Sequence, residues 1–331
     1  MSKAEVKKRP GTTVLKVLLG IIIALLIIIA ILFIIPLTET GDLTAVDGSA
    51  DWMARLPDDI SISEITLPGT HDSATQFVQL GFVTKCQSLS IAQQLDAGCR
   101  YLDIRLAAAY GRLKLMHSFT TCKDSAAPWS GTLFLDPVLD QCYSFLEEHP
   151  SETVVFAVKQ EYGDESISEF EILLNSYIAK NPERWLNSDT LPTLGEARGK
   201  LVLMRRYTDD ANIGAAAGIP LLWANQGGHD DVSLNTAESD NGSYTLWVQD
   251  RYNYAVEDKW VAFNEGMKEP DDSSVVISFL STAGTFYVGH PYAYAKDLNR
   301  RVFESDNLSG WVILDFASAP LAEHIYSKNF S

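Results

Sequence analysis

The sequence predicts an α/β protein whose parallel sheet curls into a barrel, preceded by one N-terminal helix able to span a membrane. Three observations carry this expectation. Short β-branched runs alternate with longer amphipathic stretches, as strand–helix repeats do in parallel sheets. About seven such runs spread over ~270 residues suit a TIM-like barrel of ~250 residues, although the pattern alone fits a doubly wound open sheet nearly as well. Residues 17–37 form an uncharged apolar run of the kind that crosses a bilayer.

From Val17 to Leu37, Ile, Leu and Val dominate. At ~1.5 Å per helical residue this run matches a hydrocarbon core ~30 Å thick. A cleaved signal peptide is the rival reading, but its apolar region spans about 7–15 residues and closes on small side chains. Here the run ends Phe33-Ile34-Ile35-Pro36-Leu37, so an uncleaved anchor is expected. Lys7, Lys8 and Arg9 precede it, and Glu39 and Asp42 follow it. The positive-inside tendency then leaves the N-terminus in the cytoplasm and the body outside. The chain divides into a basic tail (1–16), the anchor (17–37), a polar linker (38–50) and one body (51–331). Residues 1–16 carry +4, which leaves −21 on the rest of a chain totalling −17. Such an acidic body repels nucleic acid, and a site for an anionic substrate must make its own positive pocket.

The expected strands are Ile62–Leu67, Tyr101–Leu106, Thr153–Val158, Leu201–Met204, Leu246–Gln249, Val275–Phe279 and Trp311–Phe316. Helices are expected at Ser90–Ala97, Pro137–Glu148 and Glu165–Ile178, with Pro150 suiting a helix end. Cys86, Cys99, Cys122 and Cys142 form an even set with three full pairings. Cys99 sits in an apolar run and reads as a free buried thiol; Cys86 with Cys122 is the favoured disulfide. No CxxC spacing points to zinc.

In a barrel, chemistry gathers at the C-terminal ends of the strands, and polar residues recur there. The first strand runs into Pro68-Gly69-Thr70-His71-Asp72-Ser73. Asp103 and Arg105 stand two apart, on one face of the second. His117, Lys159 with Glu161, Arg205-Arg206-Tyr207, Asp250-Arg251-Tyr252 and Asp315 close later runs. Any one of these has a bland reading as a turn, an ion pair or a structural histidine. Their recurrence at one rim does not, because burying so many polar groups is costly unless they are used or paired. Two imidazoles beside a guanidinium suit phosphoryl transfer. One takes a proton from the attacking hydroxyl, the other protonates the leaving oxygen, and the guanidinium stabilises the charge on phosphorus.

These residues resemble the catalytic X domain of phosphatidylinositol-specific phospholipase C, in its bacterial form. The resemblance rests on Leu67-Pro68-Gly69-Thr70-His71-Asp72-Ser73 and on Gln94-Leu95-Asp96-Ala97-Gly98-Cys99-Arg100-Tyr101-Leu102-Asp103-Ile104-Arg105. Met116-His117, His149-Pro150-Ser151-Glu152-Thr153 with Lys159, Gly199-Lys200-Leu201-Val202-Leu203, Val248-Gln249-Asp250 and Ile313-Leu314-Asp315-Phe316 follow in family order. It implies an irregular TIM-type barrel and cleavage of phosphatidylinositol, or of a glycosylated inositol lipid, to diacylglycerol and a 1,2-cyclic inositol phosphate. His71 would be the general base, held by Asp315, and His117 the general acid, paired with Asp72. Arg105 would contact the phosphate with Asp103 beside it, while Lys159, Arg206, Asp250 and Tyr252 would line the inositol pocket.

Members of the family that use calcium hold it with Asn, Glu and Asp. Here Asp72 follows His71 and Arg105 takes the neutralising role, so no metal or other cofactor is expected, and the enzyme is expected to act as a monomer at its own membrane. The alternatives are a metal-dependent phosphodiesterase acting on another glycero- or sphingo-phosphodiester, and a non-catalytic lipid-binding module. Of the remaining segments, Ile219–Trp223 reads as a buried strand rather than a lipid contact, and His149, His229, His290 and His324 read as structural or exposed.

Overall fold

The computed structural model describes residues 10–33, 42, 44–127, 129–227, 235–238, 243–267, 270–285 and 290–330. The strands are β1 (Leu67–Thr70), β2 (Tyr101–Ala109), β3 (Arg112–His117), β4 (Thr120–Thr121), β5 (Val154–Gln160), β6 (Trp185–Leu186), β7 (Leu201–Arg205), β8 (Ile219–Pro220), β9 (Asn235–Glu238), β10 (Thr245–Gln249), β11 (Ser274–Phe279) and β12 (Trp311–Leu314). The helices are α1 (Pro10–Phe33), α2 (Gly81–Thr84), α3 (Ile91–Asp96), α4 (Leu135–Glu148), α5 (Ile167–Ile178), α6 (Leu194–Ala197), α7 (Val256–Gly266), α8 (Pro291–Phe303) and α9 (Ala319–Tyr326).

The sheet runs β6-β7-β5-β2-β1-β12-β11-β10-β9, with the neighbours from β6 through to β10 parallel and β9 antiparallel to β10. It curls into an irregular, incomplete TIM-type barrel, as expected, and the open-sheet alternative falls away. Across the seam the Tyr244 hydroxyl donates to the Pro220 carbonyl.

Side-chain alternation makes two cores from each strand. Leu102, Ile104 and Leu106 of β2 with Val154, Phe156 and Val158 of β5 face outward onto α4 and α5, where Phe145, Leu146, Phe170 and Leu174 meet them. The other parity faces the barrel interior: Tyr101, Val155, Ala157, Val202, Met204, Leu246, Val248, Val275, Ile277, Trp311 and Ile313. Burying each such side chain stabilises the fold by roughly 1.5–3 kcal/mol. Gly69 is required at the interior of β1, since a Cβ there would stand 2.6 Å from Tyr101 Cβ and 2.7 Å from Ile313 Cδ1.

Differences from expectation are local. The first strand is Leu67–Thr70 rather than Ile62–Leu67. Ile62 and Ile65 are buried without forming a strand, because a cavity takes apolar residues from a turn as readily as from a ladder. All four cysteines are buried free thiols, so the Cys86–Cys122 disulfide is not formed. Only Ile219–Pro220 of the 219–223 run is strand. Helix α1 carries an apolar window, Thr13–Ala30, with mean hydropathy 2.9 and none of it buried; residues 34–37 of the expected span, and His229, lie outside the described residues.

Candidate active site

Interior alternation delivers the site. On each strand the apolar interior positions are followed, at the same parity, by a polar residue at the C-terminal end. Val155 and Ala157 lead to Lys159 and Glu161, Val202 and Met204 to Arg206, Leu246 and Val248 to Asp250, Trp311 and Ile313 to Asp315. Tyr101 leads to Asp103 and Arg105, and Leu67 and Gly69 to His71. The same parity chooses between the paired arginines. Arg206 turns inward to Asp103 (3.2 Å), while Arg205 turns away to the carbonyls of Gly218 and Tyr207.

Asp72 breaks the alternation by taking a positive φ of 44°, a conformation Asp tolerates better than most residues. That turn brings consecutive side chains, His71 and Asp72, to one site. It is fastened by Thr75 Oγ1 donating to the Asp72 carbonyl (2.7 Å) and by Gln94, which bonds Thr70 Oγ1 (2.7 Å) and the Ser73 carbonyl (2.8 Å). Gln87 donates to the carbonyls of His71 and Leu314, each at 2.8 Å, tying the ends of β1 and β12 together. Arg100 and Glu152, fully buried and 2.8 Å apart, lock the opposite end of the barrel and have no part in the site.

His71 Nδ1 donates to Asp315 Oδ1 at 2.8 Å, which fixes the tautomer and leaves Nε2 as the basic nitrogen, 3.1 Å from Asp72 Oδ2. His117 Nδ1 donates to the Thr84 carbonyl at 2.7 Å, and its Nε2 lies 3.4 Å from the same Asp72 oxygen. The two rings stand edge-on with centroids 6.1 Å apart. Arg105 meets three carboxylates: Asp72 through Nε (3.1 Å), Asp103 through Nη2 (3.0 Å) and Glu161 through Nη1 (3.2 Å). Beyond it, Arg206 bridges Asp103 and Asp250, the latter at 3.9 Å, and lies 3.8 Å over the Trp223 ring. Trp223 Nε1 donates to Asp250 (3.2 Å), Lys159 pairs with Glu161 (3.3 Å), and the Tyr252 hydroxyl bonds Asn225 (2.7 Å).

The electrostatics follow from burial and pairing. Burial opposes the charge on Arg105, but Asp103, Asp72 and Glu161 overcompensate and push its pKa well up. Burial likewise opposes ionisation of Glu161, yet Arg105 and Lys159 hold its carboxyl at about 2. Asp103 is held far below the carboxylate range against the same burial, by Arg105 and Arg206. Asp72, fully buried, has its pKa raised by desolvation despite Arg105 and the imidazoles. Burial disfavours the charged form of His71, but Asp72 and Asp315 outweigh it and raise the pKa. Burial and the Arg105 charge together lower that of Lys159.

Nine of the ten residues expected from the sequence thus come together at one rim: His71, Asp72, Asp103, Arg105, His117 and Asp315 in one cluster, with Lys159, Arg206 and Asp250 beside it, while Tyr252, two residues past Asp250, bonds Asn225. Glu161, Trp223, Gln87 and Cys86 join them. Glu161 carried the strand-end signal; Trp223 lies on irregular chain and Gln87 and Cys86 on a loop, where no periodicity speaks. Donor atoms of His71, Asp72 and Asp103 lie within 4.8 Å of one another, and Arg105 contacts both Asp72 and Asp103.

Comparison with known proteins gives the class as a phosphoric diester hydrolase, similar to the PI-PLC X-domain enzymes. The family model PI-PLC X 1 matches residues 59–214. The 1-phosphatidylinositol phosphodiesterase of Staphylococcus aureus (strain Newman) is 28% identical over 291 residues, covering 81% of this chain and 88% of that protein. The Listeria monocytogenes protein of the same name is 30% identical over 167 residues, 46% of this chain and 47% of its own. The fold is that of the solved phosphatidylinositol-specific phospholipase C from Staphylococcus aureus, with a TM-score of 0.69 at 24% identity over 85% of this chain and 98% of that one.

Proposed function

We propose that this protein is a membrane-anchored, metal-independent phosphatidylinositol-specific phospholipase C. The observation that carries the reading is the paired-imidazole arrangement around Asp72 and Arg105, in a chain similar over most of its length to bacterial phosphodiesterases of that specificity. His71 Nε2 takes the proton of the inositol 2-hydroxyl as that oxygen bonds to phosphorus; Asp315 holds the ring and stabilises the imidazolium. The bond from phosphorus to the glycerol oxygen breaks, and His117 Nε2 gives that oxygen its proton. Diacylglycerol leaves, and a 1,2-cyclic inositol phosphate stays until it diffuses out.

Arg105 supplies the positive charge at the phosphate, fixed in plane by its three carboxylates, so it needs no reorganisation as charge develops. This fixed guanidinium is the reason for proposing that no metal is required. Lys159, Arg206, Asp250 and Tyr252 bind the ring hydroxyls, with Trp223 as the wall beneath Arg206. Helix α1 anchors the enzyme with its body outside the cytoplasm. In support, α1 neighbours α2, whose carbonyl at Thr84 holds His117 and whose flank exposes Leu80 and Val83.

The test is the full chain in lipid nanodiscs containing phosphatidylinositol, with and without EDTA, and the product read by phosphorus NMR. Cyclic inositol phosphate formed equally in EDTA supports the proposal. No cleavage, or cleavage only with added metal, refutes it.

A further inference from the structure

The thiol of Cys86 belongs to no step of that mechanism, yet it stands between the two imidazole–carboxylate pairs. Its Sγ lies 3.9 Å from His117 Nδ1. Donor atoms of Asp72, Cys86 and His117 all lie within 4.8 Å of one another, and so do those of His71, Cys86 and Asp315. Asp72 adds an independent sign of an unmet ligand. Its side chain is fully buried, and neither oxygen makes a well-formed hydrogen bond, although two imidazoles and a guanidinium stand within 3.4 Å. A nucleophilic role for Cys86 does not fit, because burial and the neighbouring Asp315 and Asp72 charges keep the thiol protonated.

We propose that Asp72, Cys86 and His117 form an inhibitory binding site for a thiophilic divalent cation, with Zn²⁺ the best match. Sulfur, imidazole and carboxylate together form a donor set of borderline softness, which suits zinc rather than calcium or magnesium. Zinc bonds of ~2.3 Å to sulfur and ~2.0 Å to nitrogen at a tetrahedral angle place those two atoms about 3.5 Å apart. The observed 3.9 Å closes to that with a shift of a few tenths of an ångström. Three protein ligands leave the fourth position to water. On binding, the S–H bond breaks, its proton passes to solvent and a sulfur–metal bond forms. If Nδ1 is the ligating nitrogen, it gives up its proton and its 2.7 Å bond to the Thr84 carbonyl; no electron is transferred. With the cation in place, His117 is a neutral metal-bound imidazole rather than an imidazolium, so it no longer gives a proton to the leaving oxygen, and Asp72 is drawn from Arg105. The block on turnover therefore rests on the phospholipase reading, whereas the binding itself does not.

The test uses the chelator-stripped full chain in detergent, with CoCl₂ as the spectroscopic probe and ZnCl₂ as the inhibitor. One equivalent of Co²⁺ gives a thiolate-to-metal charge-transfer band in the near ultraviolet, and Zn²⁺ removes it. Phosphatidylinositol cleavage falls as Zn²⁺ binds and returns with EDTA. Zinc inhibition of Cys86→Ser and Cys86→Ala is read against each variant's own metal-free turnover; the backbone bonds of residue 86, N–H to Thr75 Oγ1 and carbonyl from the Phe316 N–H, do not involve the side chain. Both variants lose the band and need at least about tenfold more Zn²⁺ for half-inhibition. No band in the native chain, or the same band in both variants, overturns the site; cysteines 99, 122 and 142 remain in each variant as internal controls. A Cys86-dependent band without zinc inhibition overturns its inhibitory role. If the native chain cleaves no phosphatidylinositol, the band still decides whether the cation site exists, so the two readings fail separately.

Discussion

An Arg105→Lys variant keeps the charge at the centre of the site and removes its shape. The guanidinium stands 3.1 Å from Asp72 at Nε, 3.0 Å from Asp103 at Nη2 and 3.2 Å from Glu161 at Nη1, facing three carboxylates from one plane and hydrogen-bonding Asp103 through both Nε and Nη2. An ammonium donates from a single atom and meets one or two of these carboxylates. Asp103 retains Arg206, and Glu161 retains Lys159. Asp72, between the two imidazoles, has no guanidinium or ammonium in contact among the described residues other than the one at position 105. Each charge-assisted bond lost from a buried carboxylate costs roughly 1.5–3 kcal/mol. Displacing the donor from where charge develops on phosphorus is expected to lower kcat about 10²–10³-fold. The assay is kcat and KM on phosphatidylinositol nanodiscs, with thermal unfolding measured in parallel. A folded Arg105→Lys enzyme that keeps more than about a tenth of native kcat refutes the reasoning.

Further expectations are as direct. His71→Ala and His117→Ala each lower kcat by about 10²–10⁴ while circular dichroism stays native, and near-normal turnover in either rules out the paired acid–base mechanism. Burial works against the His71 charge, but Asp72 and Asp315 raise its pKa; the base must be neutral, so kcat/KM falls as pH drops through that raised value. Asp315→Asn then moves the acid limb to lower pH and lowers the maximum rate; a limb that does not move contradicts the pairing. Lys259, fully buried against Gln249 Oε1 and the Arg251 carbonyl, has its pKa lowered to about 7 from 10.5 by desolvation. Between those values the unfolded chain binds the extra proton, so this group makes stability rise with pH by at most ~1.4 kcal/mol per unit. Below that window both states are charged and the slope disappears. Denaturant midpoints at about pH 7.5 and 9.5 should show a smaller rise in Lys259→Met than in the native chain, and equal rises would contradict the burial argument.

The sequence by itself determined much of this protein. An apolar run of helical length, and β-branched runs alternating with amphipathic ones, are local patterns that follow from hydrophobic burial and backbone geometry. Period-two alternation likewise put Asp103 with Arg105 on one face before any fold was known. Other features were decided only when the chain closed. Arg205 and Arg206 differ in which face of β7 is interior, and that depends on the curl of the whole sheet rather than on the run itself. The first strand begins at Leu67 because pairing with Trp311–Leu314 of β12 sets its register. The shared position of Asp72 between two histidines 46 residues apart needs its left-handed turn. Trp223, Gln87 and Cys86 sit on irregular chain, where side-chain direction has no period to read. The four thiols stay free because pairing demands a specific approach of two Cβ atoms, and a spacing along the sequence cannot encode that distance.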